Sequence, residues 1–368
     1  MIASLRVVAA AVLVLVSTAH AQTRWQVTEL ARIGGGDEGL ASFSDIRDLQ
    51  LDAKGQVWVL DFQTQTLRLF GADGSPIKEV ARKGRGPGEL GNTNGFRRAP
   101  DGRMFVRDHS NNRISFFAST GAAAGQQSYP SPSFSYGWRW DAVVDPRGRL
   151  HELTTMRRGE ERERVVVRSS PDFASADTAG APTRCTDETI PMAAIRGQNG
   201  YANIPFAAQL MVGFASTGSI WCGSSADYRL RRFPFGASAH DLEITLNAPR
   251  LRIAAAVRDS AIAATEQFLV SIGGALEPWD KGEVPRDRSS MLGFTSDDQN
   301  RLWVARETPG GPTEFDVWDM AGRRIATVAP GVRLPPSPLF RVMGDRLAVV
   351  ILDEDDLPTI VVYRIGRS

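Results

Sequence analysis

Histidines, carboxylates, cysteines and a few aromatic–arginine clusters are the residues of this 368-residue chain that could do chemistry. His109 follows Asp108, and Asp61 stands 47 residues before Asp108 in a matching segment. Paired carboxylates can hold Ca²⁺ or share a proton, and an imidazole beside them would suit Zn²⁺. The repetition of the two Asp favours a local role instead, each capping its own turn by accepting backbone N–H bonds. His151 replaces an aromatic in a core-strand pattern and reads as a buried, hydrogen-bonded residue. No G-x-S-x-G, H-E-x-x-H or C-x-x-C occurs.

Two Trp flank an Arg in Trp138-Arg139-Trp140, a pattern that could stack a sugar or a peptide. Strand alternation would give the same spacing with both rings packed between sheets. Trp279 lies in a long insertion and is harder to explain as core. Gly84-Arg85-Gly86-Pro87-Gly88 could cradle an anion with backbone N–H groups, but it precedes a strand and not the helix N-terminus that phosphate sites use. Asp353-Glu354-Asp355-Asp356 is the densest acidic run. It lacks the spacing of a calcium loop and reads as a solvated turn.

Residues 1–21 read as a signal peptide. Arg6 precedes an apolar run, Val7 to Val16, and Ala19-His20-Ala21 is a small-x-small cleavage site. The run is too short to span a membrane. The expected product is periplasmic or extracellular, with no membrane span, and monomeric. Without Arg6 the 43 basic residues become 42, against 42 acidic. That balance argues against nucleic acid as a partner. Export permits a disulfide between Cys185 and Cys222; the alternative is a buried Cys222 and a free Cys185.

These residues must be positioned by a repeated unit. Gly55-Gln56-Val57-Trp58-Val59-Leu60-Asp61 aligns with Gly102-Arg103-Met104-Phe105-Val106-Arg107-Asp108. A repeat of this period, made of short strands and Gly turns, means one supersecondary unit used several times. The core strand recurs at residues 57–59, 104–106, 150–152, 220–222, 302–304 and 347–349, which gives six units. The sixth lacks a fourth strand before the chain ends. Val27–Gly34 matches Ile77–Gly84, the fourth strand of the first unit. The N-terminus should therefore supply the missing strand and close the ring, leaving only short edges. The expected fold is an all-β, six-bladed β-propeller over residues 23–368.

With the turns in place a resemblance emerges. Lys83–Leu90 resembles the G-x-G-P-G-E/Q-F/L connector of NHL-repeat propellers, and Asp108–Ile114 resembles their D-x-x-N-N-R-I turn. The chain is similar to exported six-bladed propellers of that kind. One helical insertion is expected before blade five. From Pro249 to Ile272 apolar residues fall at Ile253, Val257, Ala261, Ala264, Phe268 and Ile272, a helical stripe expected to lie against the ring.

Two functions fit. The first is a binding module for a peptide, protein or glycan. Its loop-rich face would present Arg85, His109, Trp138, Trp140 and Trp279, with no cofactor. The second follows from the resemblance, which includes metal-dependent lactonases and lyases. It would place Ca²⁺ or Zn²⁺ on Asp61, Asp108 and His109.

Overall fold

The computed structural model describes residues 23–36, 38–129, 139–158, 161–181, 194–273 and 275–366. Short runs of β-branched and aromatic residues alternate with turns in which Asp and Gly stop each strand. Asp52 shows how. Its Oδ1 accepts the backbone N–H groups of Lys54 and Gln56, each at 2.9 Å, while Gly55 takes the positive φ of +76° that the turn requires.

Strand β1 spans Arg24–Gly34. A first sheet follows from β2 (Ile46–Leu51), β3 (Val57–Asp61), β4 (Thr66–Phe70) and β5 (Pro76–Ala81). The second holds β6 (Thr93–Arg98), β7 (Met104–Asp108), β8 (Arg113–Phe117) and β9 (Ala123–Ser128). The third holds β10 (Ala142–Val144), β11 (Leu150–Arg158), β12 (Glu161–Ser169) and β13 (Ala176–Gly180). A hairpin, β14 (Ala194–Gly197) and β15 (Gly200–Asn203), precedes the fourth sheet: β16 (Leu210–Phe214), β17 (Ile220–Ser224), β18 (Arg229–Phe233) and β19 (Leu242–Thr245).

After β20 (Leu251–Arg252), helix α1 (Ala255–Ser271) and β21 (Asp287–Arg288), the chain enters an eight-stranded sheet. Its strands are β22 (Met291–Ser296), β23 (Leu302–Arg306), β24 (Glu314–Trp318), β25 (Arg324–Val328), β26 (Phe340–Met343), β27 (Arg346–Leu352) and β28 (Pro358–Gly366), with β1. Strand β1 runs antiparallel to β28, from Gln26 opposite Gly366 to Gly34 opposite Thr359. It meets β25 in parallel only at Arg24 and Trp25. The N-terminal strand thus covers the edge that β28 would otherwise expose. The architecture is all-β and propeller-like, with one α-helix among the described residues.

The second strand of each unit is the buried centre. Trp58, Phe105, Trp221 and Trp303 are all enclosed between sheets. His151 takes this place in the third sheet. Its Nε2 lies 3.0 Å from Asp145 Oδ2, as Trp303 Nε1 lies 2.8 Å from Asp297 Oδ2. A carboxylate only accepts, so Nε2 carries the proton, and the imidazole does the indole's work. Burial holds the pKa of His151 below its ordinary value, against the pull of Asp145.

The helix departs from expectation. Val257, Phe268 and Ile272 are exposed at 54%, 52% and 41%. The buried residues are Ile262 and Leu269, which pack with Ile195, Ile204, Val284 and Trp279 in a small core of their own. The helix therefore rests on the β14–β15 hairpin and not through the stripe read from the sequence. Its buried side includes polar residues that find partners locally. Thr265 Oγ1 donates to the Ala261 carbonyl at 2.8 Å, and Glu266 accepts from Trp279 Nε1 at 3.0 Å. A count of apolar residues cannot see such a side.

Candidate functional site

The two ends of the strands differ. At one end the links between the first and second strands and between the third and fourth run two to eight residues, mostly five. At the other end lie the connectors between sheets. Eleven residues separate β5 from β6, thirteen β9 from β10, 29 β13 from β16, and 45 β19 from β22. Long connectors at one end build a surface there, while tight turns at the other can only hold the strands together.

The residues named from the sequence fall on or near this connector end, but most are occupied. Asp61 and Asp108 are fully buried. Asp61 accepts the N–H groups of Ser44, Gln63 and Thr64 at 2.9, 3.1 and 3.3 Å. Asp108 accepts from Gly91 N at 2.7 Å and from Arg113 Nε at 2.8 Å. Their oxygens are used as turn acceptors. His109 is half-buried on a short 3₁₀ turn (His109–Asn111). Burial, then the nearby Arg107, holds its pKa below the usual histidine value, against the pull of Asp108. Among the described residues no group of three or more His, Cys, Asp or Glu is placed to hold a metal ion.

Arg85 is exposed in the glycine-rich connector. That connector already holds an anion of its own, because Glu89 Oε2 accepts Gly86 N at 2.9 Å. The same contact lowers the Glu89 pKa. Arg113 Nη2 binds the Gly86 and Glu89 carbonyls at 2.8 and 2.9 Å, which ties the loop to the next sheet. In the acidic run, Asp353 Oδ1 caps its turn by accepting Asp355 N and Leu357 N at 3.0 and 2.9 Å.

Two of the three tryptophans expected to form a binding face are packing residues. Trp140 is 1% exposed, set among Phe105, Ile114 and Ala142. Trp279 is half-buried against α1. The physical reason is the same for both: a large ring adds more by filling a gap than by facing water. Trp138 and the loop leading to it lie outside the described residues. Cys222 is buried and disulfide-bonded; Cys185, the only other cysteine in the sequence, lies outside the described residues.

What the sequence did not disclose is a charge cluster where the first strands converge. These strands pack side by side in the order β2, β6, β10, β16, β22, β26 and back to β2. Asp48 on β2 is fully buried. Its Oδ1 takes Arg341 Nη2 at 2.6 Å, and its Oδ2 is gripped by Arg97. The N–H groups of Leu49 and Phe96 complete the carboxylate at 3.0 and 3.1 Å. Arg97 also reaches the Ala142 carbonyl at 2.6 Å. Arg139, just before β10, extends to the sheet opposite, where its Nη1 donates to the Ser337 and Pro338 carbonyls at 3.2 and 3.1 Å.

Asp141 stands two residues on. Burial pushes its pKa up to about 6, against the pull of Arg97, Arg164, Arg139 and Arg341. Burial likewise lowers Arg341 to about 10 and holds Arg139 below its ordinary value. The Arg97 and Arg341 side chains keep 12% and 20% of their surface exposed, so the cluster is largely enclosed but not sealed from solvent. These residues lie on first strands or in connectors without a shared motif, and only the ring order brings them together.

The arrangement can recognise a carboxylate or a similar anion by guanidinium forks. No protein-family model matches the chain, and no curated protein sequence matches it. Among solved structures, a member of the DUF4221 family from Bacteroides vulgatus ATCC 8482 superposes with a TM-score of 0.54 at 12% identity, over 94% of this chain and 100% of the other. The calcium-binding protein regucalcin from Agrobacterium tumefaciens str. C58 gives a TM-score of 0.45 at 14% identity, over 94% and 97%. Virginiamycin B lyase from Staphylococcus aureus gives 0.45 at 11% identity, over 93% and 99%. At such identities the first of these is a likeness of fold alone, and the other two fall below a TM-score of 0.5.

Proposed function

We propose that the chain is an exported, six-bladed NHL-like propeller that acts as a binding module, taking a peptide, protein or glycan on its connector end. In this reading the eight-stranded sheet is two blades, β22–β25 and β26–β28 with β1, touching over the two residues Arg24 and Trp25. Export is supported by the apolar leader and its small-x-small site. No helix among the described residues is long and apolar enough to cross a membrane.

The observation that carries the binding role is the difference between the two ends: links of two to eight residues at one, and at the other, beside second-to-third links of two to seven residues, connectors that reach 29 and 45. Crossing a four-stranded sheet from its outer to its inner strand accounts for connectors of about eleven residues, as at β5–β6; the 29- and 45-residue connectors exceed that need. The test is capture from periplasmic extract by the immobilised mature chain and two double variants. Phe62→Glu, at the half-buried ring of the β3–β4 link that Arg47 covers at 4.0 Å, with Arg85→Glu alters the connector end. Lys54→Glu with Asp101→Lys alters the turn end. Loss of captured species with the first and not the second supports the role; equal capture by all three overturns it.

A further inference from the structure

We propose that the axial cluster binds the carboxylate group of an anionic ligand, which Arg139 receives by turning from the Ser337 and Pro338 carbonyls. The proposal rests on the reading of the connector end as a binding surface and names the chemistry recognised there.

Charge is the first argument. Arg97, Arg139, Arg164 and Arg341 face two carboxylates, Asp48 and Asp141, among the described residues. Half-buried positive charge without a full complement of anions is costly, so the cluster favours one more anion.

Asp48 supplies the second argument. Two guanidiniums and two backbone N–H groups already hold a carboxylate inside this ring, so the geometry for the group exists. Arg139, by contrast, is seen to bind neutral carbonyls. Exchanging a neutral acceptor for a carboxylate about doubles the strength of such a bond. Protonation of Asp141 would raise the excess of positive charge and tighten binding in mildly acid solution.

A carboxylate can belong to a free organic acid or to the C-terminus of a peptide. Calorimetric titration of the mature protein at pH 7 distinguishes them. The probes are acetate and butyrate against their amides, trialanine as free acid against trialanine amide, and sulfate and phosphate. Binding of the acids or of the free tripeptide, with none by the amides, is the expected result, and whichever acid binds identifies the source. Arg139→Gln should weaken it roughly tenfold to a hundredfold, the loss of one charge-assisted pair. Asp141→Asn should tighten it several-fold, and this variant decides the matter if Arg139→Gln does not fold. Equal binding of acid and amide, tighter binding of phosphate than of any carboxylate, or an Arg139→Gln protein that binds as well as wild type overturns the proposal. Absent carboxylate binding with connector-end capture intact removes this inference alone. Loss of both removes the binding-surface reading as well.

Discussion

The turn carboxylates and the axial cluster use the same residue types to opposite ends. Asp108 has a backbone N–H, an amide and one guanidinium in contact, and Asp61 repeats much of that pattern 47 residues earlier. Each turn is self-sufficient and buried. In the axial cluster Asp48 and Asp141 face more arginines than they can neutralise, and each comes from a different sheet. Repetition marks what folds the units, and its absence marks what the assembled ring can do. Four perturbations separate the two.

The largest effect belongs to a turn. Asp108→Ala would leave Arg113 buried without its carboxylate, as well as the Gly91 N–H. Removing one partner of a buried ion pair costs about 3–5 kcal/mol, and urea denaturation should show that loss. A loss under about 1 kcal/mol would mean that Asp108 is not a structural cap.

The disulfide comes next. A bridge from Cys222 to Cys185 closes a loop of 38 residues, for which the chain-entropy relation gives roughly 3–4 kcal/mol. Denatured, non-reduced protein should show no free thiols and a monomeric mass, and Cys222→Ser should melt earlier. Two free thiols per chain would reject the bridge.

The third effect depends on pH. The folded pKa of Asp141 is raised to about 6 from 3.8. Its contribution to stability is therefore complete below about pH 4 and lost as the pH rises through 6. Asp141→Asn should remove this slope. It should stabilise the protein at pH 8 by at most about 3 kcal/mol, two pKa units at 1.36 each, and leave it unchanged below pH 4. Parallel stability curves for the two proteins would contradict the burial of this carboxylate among arginines.

The smallest effect sharpens the account of the insertion. Phe268 is 52% exposed and Leu269 is buried. Phe268→Ser should change stability by no more than about 0.5 kcal/mol, whereas Leu269→Ala should cost about 2–5 kcal/mol if the small core around it is packed. The reverse order would restore the stripe expected from the sequence.

The strands were legible because their signals are local. Asp and Gly stop each one, and an aromatic or aliphatic run fills it, so second strands such as Val57–Asp61 and Met104–Asp108 could be placed directly. Even the pairing of β1 with β28 could be read, since residues 27–34 copy residues 77–84. The helix was legible in existence and wrong in orientation. Its buried side carries Thr265 and Glu266, whose partners are the Ala261 carbonyl within the helix and Trp279 in the segment after it. Trp140 and Trp279 were read as ligand contacts because spacing alone cannot tell a stacked ring from a packed one. The axial cluster was invisible: Asp48, Arg97, Asp141 and Arg341 share no motif, and their meeting depends on how far each sheet turns about the axis.

A crystal structure of the mature protein soaked with butyrate at pH 5.5 would show whether Arg139 takes a carboxylate. The expected result is a carboxylate within hydrogen-bond distance of the Arg139 guanidinium, with that side chain turned from the Ser337 and Pro338 carbonyls and the Asp48 pairs unchanged. An Arg139 still on those two carbonyls, with no anion along the axis at saturating butyrate, would contradict it.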